Sequence, residues 1–96
     1  MSFTKLIEKI GIDEYHPTEE KFLKELLVLL KNSFKVWTAD KMANVLILRF
    51  GLNGNSPHTL IKIGDMYGLS RERIRQIEAK SLRMIRRRIR VKLYYY

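Results

Sequence analysis

Ninety-six residues with 19 Lys and Arg against 10 Asp and Glu allow one basic domain, or one domain with an ordered arm, of net charge +9, and a hydrophobic content of 46% argues against disorder. The absence of cysteine excludes disulfide scaffolds, cysteine-ligated zinc and thiol catalysis. At this mass the scaling of surface with size buries roughly 65% of what the unfolded chain exposes, enough for one core.

Phe3–Ile10 places Phe3, Leu6, Ile7 and Ile10 at helical spacing, and Gly11 ends the run. Asp13–Pro17 reads as a loop. Thr18 is the N-cap of a second helix, with Glu19 and Glu20 at the positive end of its dipole. Phe22, Leu23, Leu26, Leu27 and Leu30 form its stripe, widened by Val28 and Leu29, to about Asn32. The stripe predicts core, with a partner groove as the alternative. Ser33–Trp37 is ambiguous. Thr38 caps a third helix whose Met42, Val45, Leu46, Leu48 and Phe50 are apolar and which Gly51 closes. Leu52–His58 is turn chemistry throughout. Gly51–Pro57 looks like a phosphate loop only until the missing Gly-Lys-Ser/Thr is noticed.

Residues 59–83 carry the sharpest pattern. Thr59 caps a short helix to about Tyr67, Gly68 supplies a positive-φ turn, and Ser70 caps a long helix. This is helix–turn–helix spacing. Two helices crossing closely need a small residue in the first, and Gly64 lies four before the turn glycine. Ile63, Tyr67, Leu69, Ile74 and Ile77 occupy the positions of the shared core. Projected at about 100° per residue, Ile74, Ile77 and Ser81 define the buried direction of the long helix. Opposite lie Glu72, Arg75, Gln76, Ala79 and Arg83, flanked by Arg71, Arg73 and Lys80. Arg pairs with guanine, Gln with adenine and Glu with the cytosine amino group, so this is a base-reading face flanked by phosphate-reaching cations. A salt-bridged solvent surface is the plain alternative.

The charge is concentrated in the same region. Residues 1–70 hold nine basic and eight acidic side chains; residues 71–96 hold ten basic and two acidic. Ile89–Leu93 alternates apolar and basic residues and reads as a helix end or an extended arm. Arg86–Arg90 with Tyr94–Tyr96 reads as an extension of a DNA contact, with bases stacked on the tyrosines, or as a disordered basic tail, with an interfacial membrane arm as the remote alternative and no membrane partner expected. His16 and His58 sit beside prolines with no ligand partners at metal spacing, so neither metal nor cofactor is expected. No carboxylate pair or activated nucleophile stands out, so an enzyme is not expected either. The longest strongly apolar run, Leu26–Leu30, is far short of the ~20 residues of a membrane span. The N-terminus lacks a signal-peptide core, and the expected location is the cytoplasm.

Arg49–Leu52 (RFGL), Thr59–Leu60, Ile63–Gly64, Gly68 and above all Ser70–Arg83 (SRERIRQIEAKSLR) closely resemble region 4 of the sigma-70 family. That region binds the −35 promoter element and the flap of bacterial RNA polymerase. The resemblance covers roughly residues 38–87. It implies base reading by Arg71, Glu72 and Gln76, and backbone contacts from Thr59, Leu60, Arg73, Arg75, Lys80 and Arg83. It also implies that the third helix, through Met42, Val45, Leu46, Arg49 and Phe50, helps receive the flap of the beta subunit of the polymerase core. Members of the family commonly carry two Glu after the Thr–Leu pair, where this chain has Ile61 and Lys62. The charged start of the preceding helix is replaced by Thr38–Asn44, which weakens the expectation of conventional flap contacts.

The expected architecture is all-α, four to five helices with a C-terminal helix–turn–helix. Residues 1–37 form a helical segment of unknown role that matches no sigma region, 38–87 the region 4-like domain, and 88–96 a basic, tyrosine-rich tail. No part resembles sigma regions 2 and 3. The initial Met suggests a standalone protein, phage- or mobile-element-encoded and acting in the bacterial cytoplasm, with a fragment of a longer factor as the alternative. Three functions are consistent with these residues. The first is a polymerase-associated promoter binder on double-stranded DNA. The second is a free-standing repressor or activator. The third is a region 4 mimic that engages an anti-sigma factor, a second sigma-like subunit or the flap.

Overall fold

A computed structural model describes residues 1–31 and 37–94. Five helices run in chain order: α1 (Phe3–Ile10), α2 (Glu19–Leu29), α3 (Ala39–Phe50), α4 (Leu60–Tyr67) and α5 (Arg71–Tyr94). No strand occurs among the described residues, so the all-α expectation of four to five helices holds.

The helix starts follow one device. Ser2, Thr18, Thr38, Thr59 and Ser70 each accept a hydrogen bond from the backbone N–H three residues on, at 3.1–3.4 Å. Each bond satisfies a donor that the first helical turn leaves free. Gly51 closes α3 at φ 65°, and its Leu52 N–H bonds back to the Ile47 carbonyl at 2.9 Å. The Leu52–His58 turn is then tied to α3 by the His58 N–H on the Leu48 carbonyl at 2.8 Å. α2 ends at Leu29, earlier than expected from its apolar stripe, because Leu30 leaves helical geometry at φ −100°, ψ 1°. Asn32, and Ser33–Lys35 and Val36 of the ambiguous stretch, lie outside the described residues. Trp37 is buried, its ring 5.3 Å from that of Tyr67.

α5 is the spine. Its 24 residues rise about 36 Å, most of the molecule's 40 Å long axis. Every other helix packs on it. The continuous core includes Leu6 and Ile10 of α1, Phe22 and Leu26 of α2, Phe50 of α3, Ile63 of α4, and Ile74, Ile77, Ile85 and Ile89 of α5. Ile89–Leu93 is helix rather than arm, because Ile85 and Ile89 follow one another on the buried face at helical spacing. The stripe of α2 is core at Phe22, Leu26, Leu29 and Leu30, while Leu27 and Val28 stay exposed. α1 and α2 thus share one core with the C-terminal helices. Among the described residues no helix is long and apolar enough to cross a membrane.

Candidate nucleic-acid interface

α4, the turn Gly68–Ser70 and the first turns of α5 form the helix–turn–helix. Gly68 adopts φ 68°, the left-handed conformation that lets the chain reverse without a Cβ clash. The Leu69 N–H bonds to the Gly64 carbonyl at 2.8 Å. A Cβ on Gly64 would run into the Leu69 carbonyl oxygen, so the small residue is a steric requirement of the crossing. Ile63, Ile74 and Ile77 are fully buried beneath the turn, and Tyr67 and Leu69 pack against them half-buried.

That packing orients α5. Ser81 is buried with Ile74 and Ile77, its hydroxyl donating to the Ile77 carbonyl at 2.7 Å. Arg71, Glu72, Arg75, Gln76, Lys80 and Arg83 are exposed, Arg73 and Ala79 half-buried. The side chains expected to read bases, Arg71, Glu72 and Gln76, therefore all stand on the solvent side of α5. Glu72 and Arg75 are clamped to each other by hydrogen bonds of 2.6–3.0 Å. The Arg75 guanidinium holds the Glu72 carboxyl below its ordinary range, and Glu72 in turn raises Arg75. Glu72 is thus a fixed, ionised acceptor, suited to an amino group at a base edge. Thr59 is exposed at the tip of α4, its hydroxyl oxygen engaged as the cap, while Leu60 is half-buried against the core.

The side chains expected to receive the polymerase flap sit elsewhere. Met42, Val45, Leu46 and Phe50 are each 0% exposed, because α1, α2, α4 and α5 all pack on α3. They line no open surface of this fold. Arg49 is half-buried, with Nε donating to Glu78 Oε1 at 3.0 Å and a second guanidinium nitrogen to the His58 carbonyl at 3.2 Å. Glu78 is only 6% exposed and also meets Lys9 at 3.7 Å. This ion cluster ties α1, α3, α5 and the loop before the helix–turn–helix. Sequence reasoning missed it: Arg49 and Glu78 lie 29 residues apart. The one available signal was Glu78 itself, a carboxylate at a position between Ile74 and Leu82 on the inward side of α5.

Arg86 and Arg88 were also unassigned by spacing. Arg86 donates to the carbonyls of Ile10 at 2.7 Å and Lys9 at 2.9 Å, capping the C-terminus of α1. Arg88 donates to the Lys31 carbonyl at 2.9 Å, just past the end of α2. Cations at helix C-termini satisfy free carbonyls and the negative dipole end together. No cluster of His, Cys, Asp or Glu suited to a metal ion occurs among the described residues.

A tight helix–turn–helix with an exposed Arg, Glu and Gln face on its second helix defines a DNA-binding domain of the recognition-helix type. The family model for sigma-70, region 4, matches residues 39–87. The chain belongs to that family. It is 55% identical over 47 residues to the RNA polymerase sigma factor SigA of Listeria monocytogenes serovar 1/2a, and equally to that of Listeria innocua serovar 6a. The match covers 49% of this chain and 13% of either relative. The chain thus spans a small part of the length of the curated relatives that it matches. No solved structure matches.

Proposed function

We propose that this protein is a promoter-recognition module. The N-terminal turns of α5 enter the major groove of −35-type duplex DNA, with Arg71, Glu72 and Gln76 at base edges. Thr59, Leu60, Arg73, Arg75, Lys80 and Arg83 hold the backbone on either side. The observation that carries the reading is the shared exposure of Arg71, Glu72 and Gln76 on one side of a recognition helix anchored by Ile74, Ile77 and Ser81. Two or three base contacts at ~1–3 kcal/mol each give modest specificity. A tether to bacterial RNA polymerase would raise promoter occupancy through an effective concentration on the order of millimolar. The module then acts beside the polymerase core in the bacterial cytoplasm, without catalysing a reaction itself.

The test is binding of the full chain to a set of −35-type duplexes varied one base pair at a time. Gln76→Ala should relax preference at one position at a cost of about 1–3 kcal/mol, whereas Arg73→Ala should weaken all duplexes alike. Uniform weakening by both variants would remove the base-reading role of Gln76.

A second reading, a free-standing helix–turn–helix regulator, is favoured by the burial of Met42, Val45, Leu46 and Phe50 among the four helices that pack on α3. Co-purification with polymerase core separates the two. Retention would support the tethered module; its absence, with duplex binding intact, would support the free-standing regulator. Retention without duplex binding would leave the region 4 mimic.

A further inference from the structure

After Glu78, α5 contains no acidic residue and seven cations, Lys80 and the six from Arg83 to Lys92. The structure divides them. Arg86 and Arg88 are engaged with the carbonyls that end α1 and α2. Arg83, Arg87 and Arg90 are exposed and make no hydrogen bond or ion pair with any described residue. At about 100° per residue these three fall within about 60° of one another, in the direction of Glu72 and Gln76. The base-reading stripe therefore continues along the helix as an arginine stripe. Such like charges at i, i+3 and i, i+4 weaken a helix by themselves. Their placement favours a polyanion on that side. Val91 and Tyr94 border the stripe, yet cations fill it, whereas the centre of a protein interface is apolar and poor in charge. Arginine forks match phosphate bidentately.

We infer that Arg87 and Arg90, continuing the line of Arg83, form a second, sequence-independent contact with DNA phosphates flanking the base pairs that the first turns of α5 read. This rests on the major-groove placement of α5 proposed above. The axial rise puts Arg87 and Arg90 about 16 and 21 Å beyond Gln76, outside a groove about 12 Å wide. The phosphates concerned therefore lie beyond the base pairs that are read, and the contact lengthens the footprint of the module without adding base specificity.

The experiment compares the full chain with its R87Q/R90Q variant on a long −35-type duplex, on a scrambled duplex of equal length, and on one trimmed to the read base pairs, over a salt series. Removing two phosphate contacts should flatten the slope of log affinity against log salt by about 1.8 on both long duplexes. On the trimmed duplex the two proteins should bind alike. Both arginines being exposed, the variant should melt no lower than the parent, which guards against a folding artefact. An unchanged slope on the long duplexes overturns the inference. So does binding of poly-glutamate that the variant loses while its duplex slopes stay the same, since that assigns the stripe to an acidic protein. Failure of the base-reading proposal looks different: the parent would no longer distinguish the −35-type from the scrambled duplex, yet the slope difference would persist.

Discussion

Gly64 and Gly68 do different work in the same turn. Gly68 has open space where a Cβ would go, so a side chain there is disfavoured only by its φ of 68°. Left-handed geometry costs an L-residue roughly 1–2 kcal/mol. Gly64 is helical, but a Cβ there collides with the backbone carbonyl of Leu69, which cannot swing aside as a side chain can. Relief requires the turn at Leu69 to move away from α4, breaking the 2.8 Å bond from the Leu69 N–H to the Gly64 carbonyl. Gly64→Ala should therefore destabilise the chain by about 3 kcal/mol, at the upper end of overpacking costs, and Gly68→Ala by about 1 kcal/mol. In a domain of this size, 1 kcal/mol corresponds to about 4–8 °C in melting temperature. Thermal melts of both variants check the ordering, and equal losses would mean that the crossing is looser than the carbonyl contact implies.

At the scale of helices, what was legible in the sequence was local. The four caps Thr18, Thr38, Thr59 and Ser70 bond three residues ahead, and Gly11, Gly51 and Gly68 end helices by their own conformation. Such signals need no knowledge of the fold. The exposed face of α5 was legible for the same reason, since its phase follows from Ile74, Ile77 and Ser81. The long-range pairs were not. Arg86 meets Ile10 across 76 positions and Arg88 meets Lys31 across 57, and nothing in a run of arginines marks which of them turn inward. The apolar face of α3 was equally silent about its partners, because an apolar stripe covered by other helices has the same spacing as one left open. Arg86 is a direct check on this arrangement. Its two bonds carry the C-terminus of an eight-residue helix too short to persist without tertiary support. Arg86→Gln should cost about 2 kcal/mol, the range for a charged donor on carbonyl acceptors. Amide exchange should locate the loss in α1 first, ahead of α4. Full protection of α1 in that variant would show that Leu6 and Ile10 hold it unaided.

For the molecule as a whole, charge acts on folding and on binding in opposite senses. Of the net +9, the last 26 residues contribute ten cations against two anions, and most lie along one helix. Their mutual repulsion is relieved by counter-ions, since the Debye length shrinks from about 10 Å at 0.1 M salt to about 3 Å at 1 M. The attractive pairs that salt also weakens, Lys5–Glu8, Lys24–Glu20 and Arg75–Glu72, are exposed on both sides and contribute little. The Glu78 cluster is sheltered from screening by its burial. Repulsion is therefore the salt-sensitive part of the folding free energy, and added salt should raise the melting temperature. DNA binding should respond the other way, because each phosphate contact returns condensed counter-ions to solution. With six or more contacts the affinity should fall by roughly a thousandfold between 50 and 200 mM salt. Melts and duplex titrations over one salt series test both limbs together. A melting temperature that falls with salt would mean that the exposed ion pairs outweigh the repulsion along α5. A flat binding curve would remove phosphate contact as the source of affinity.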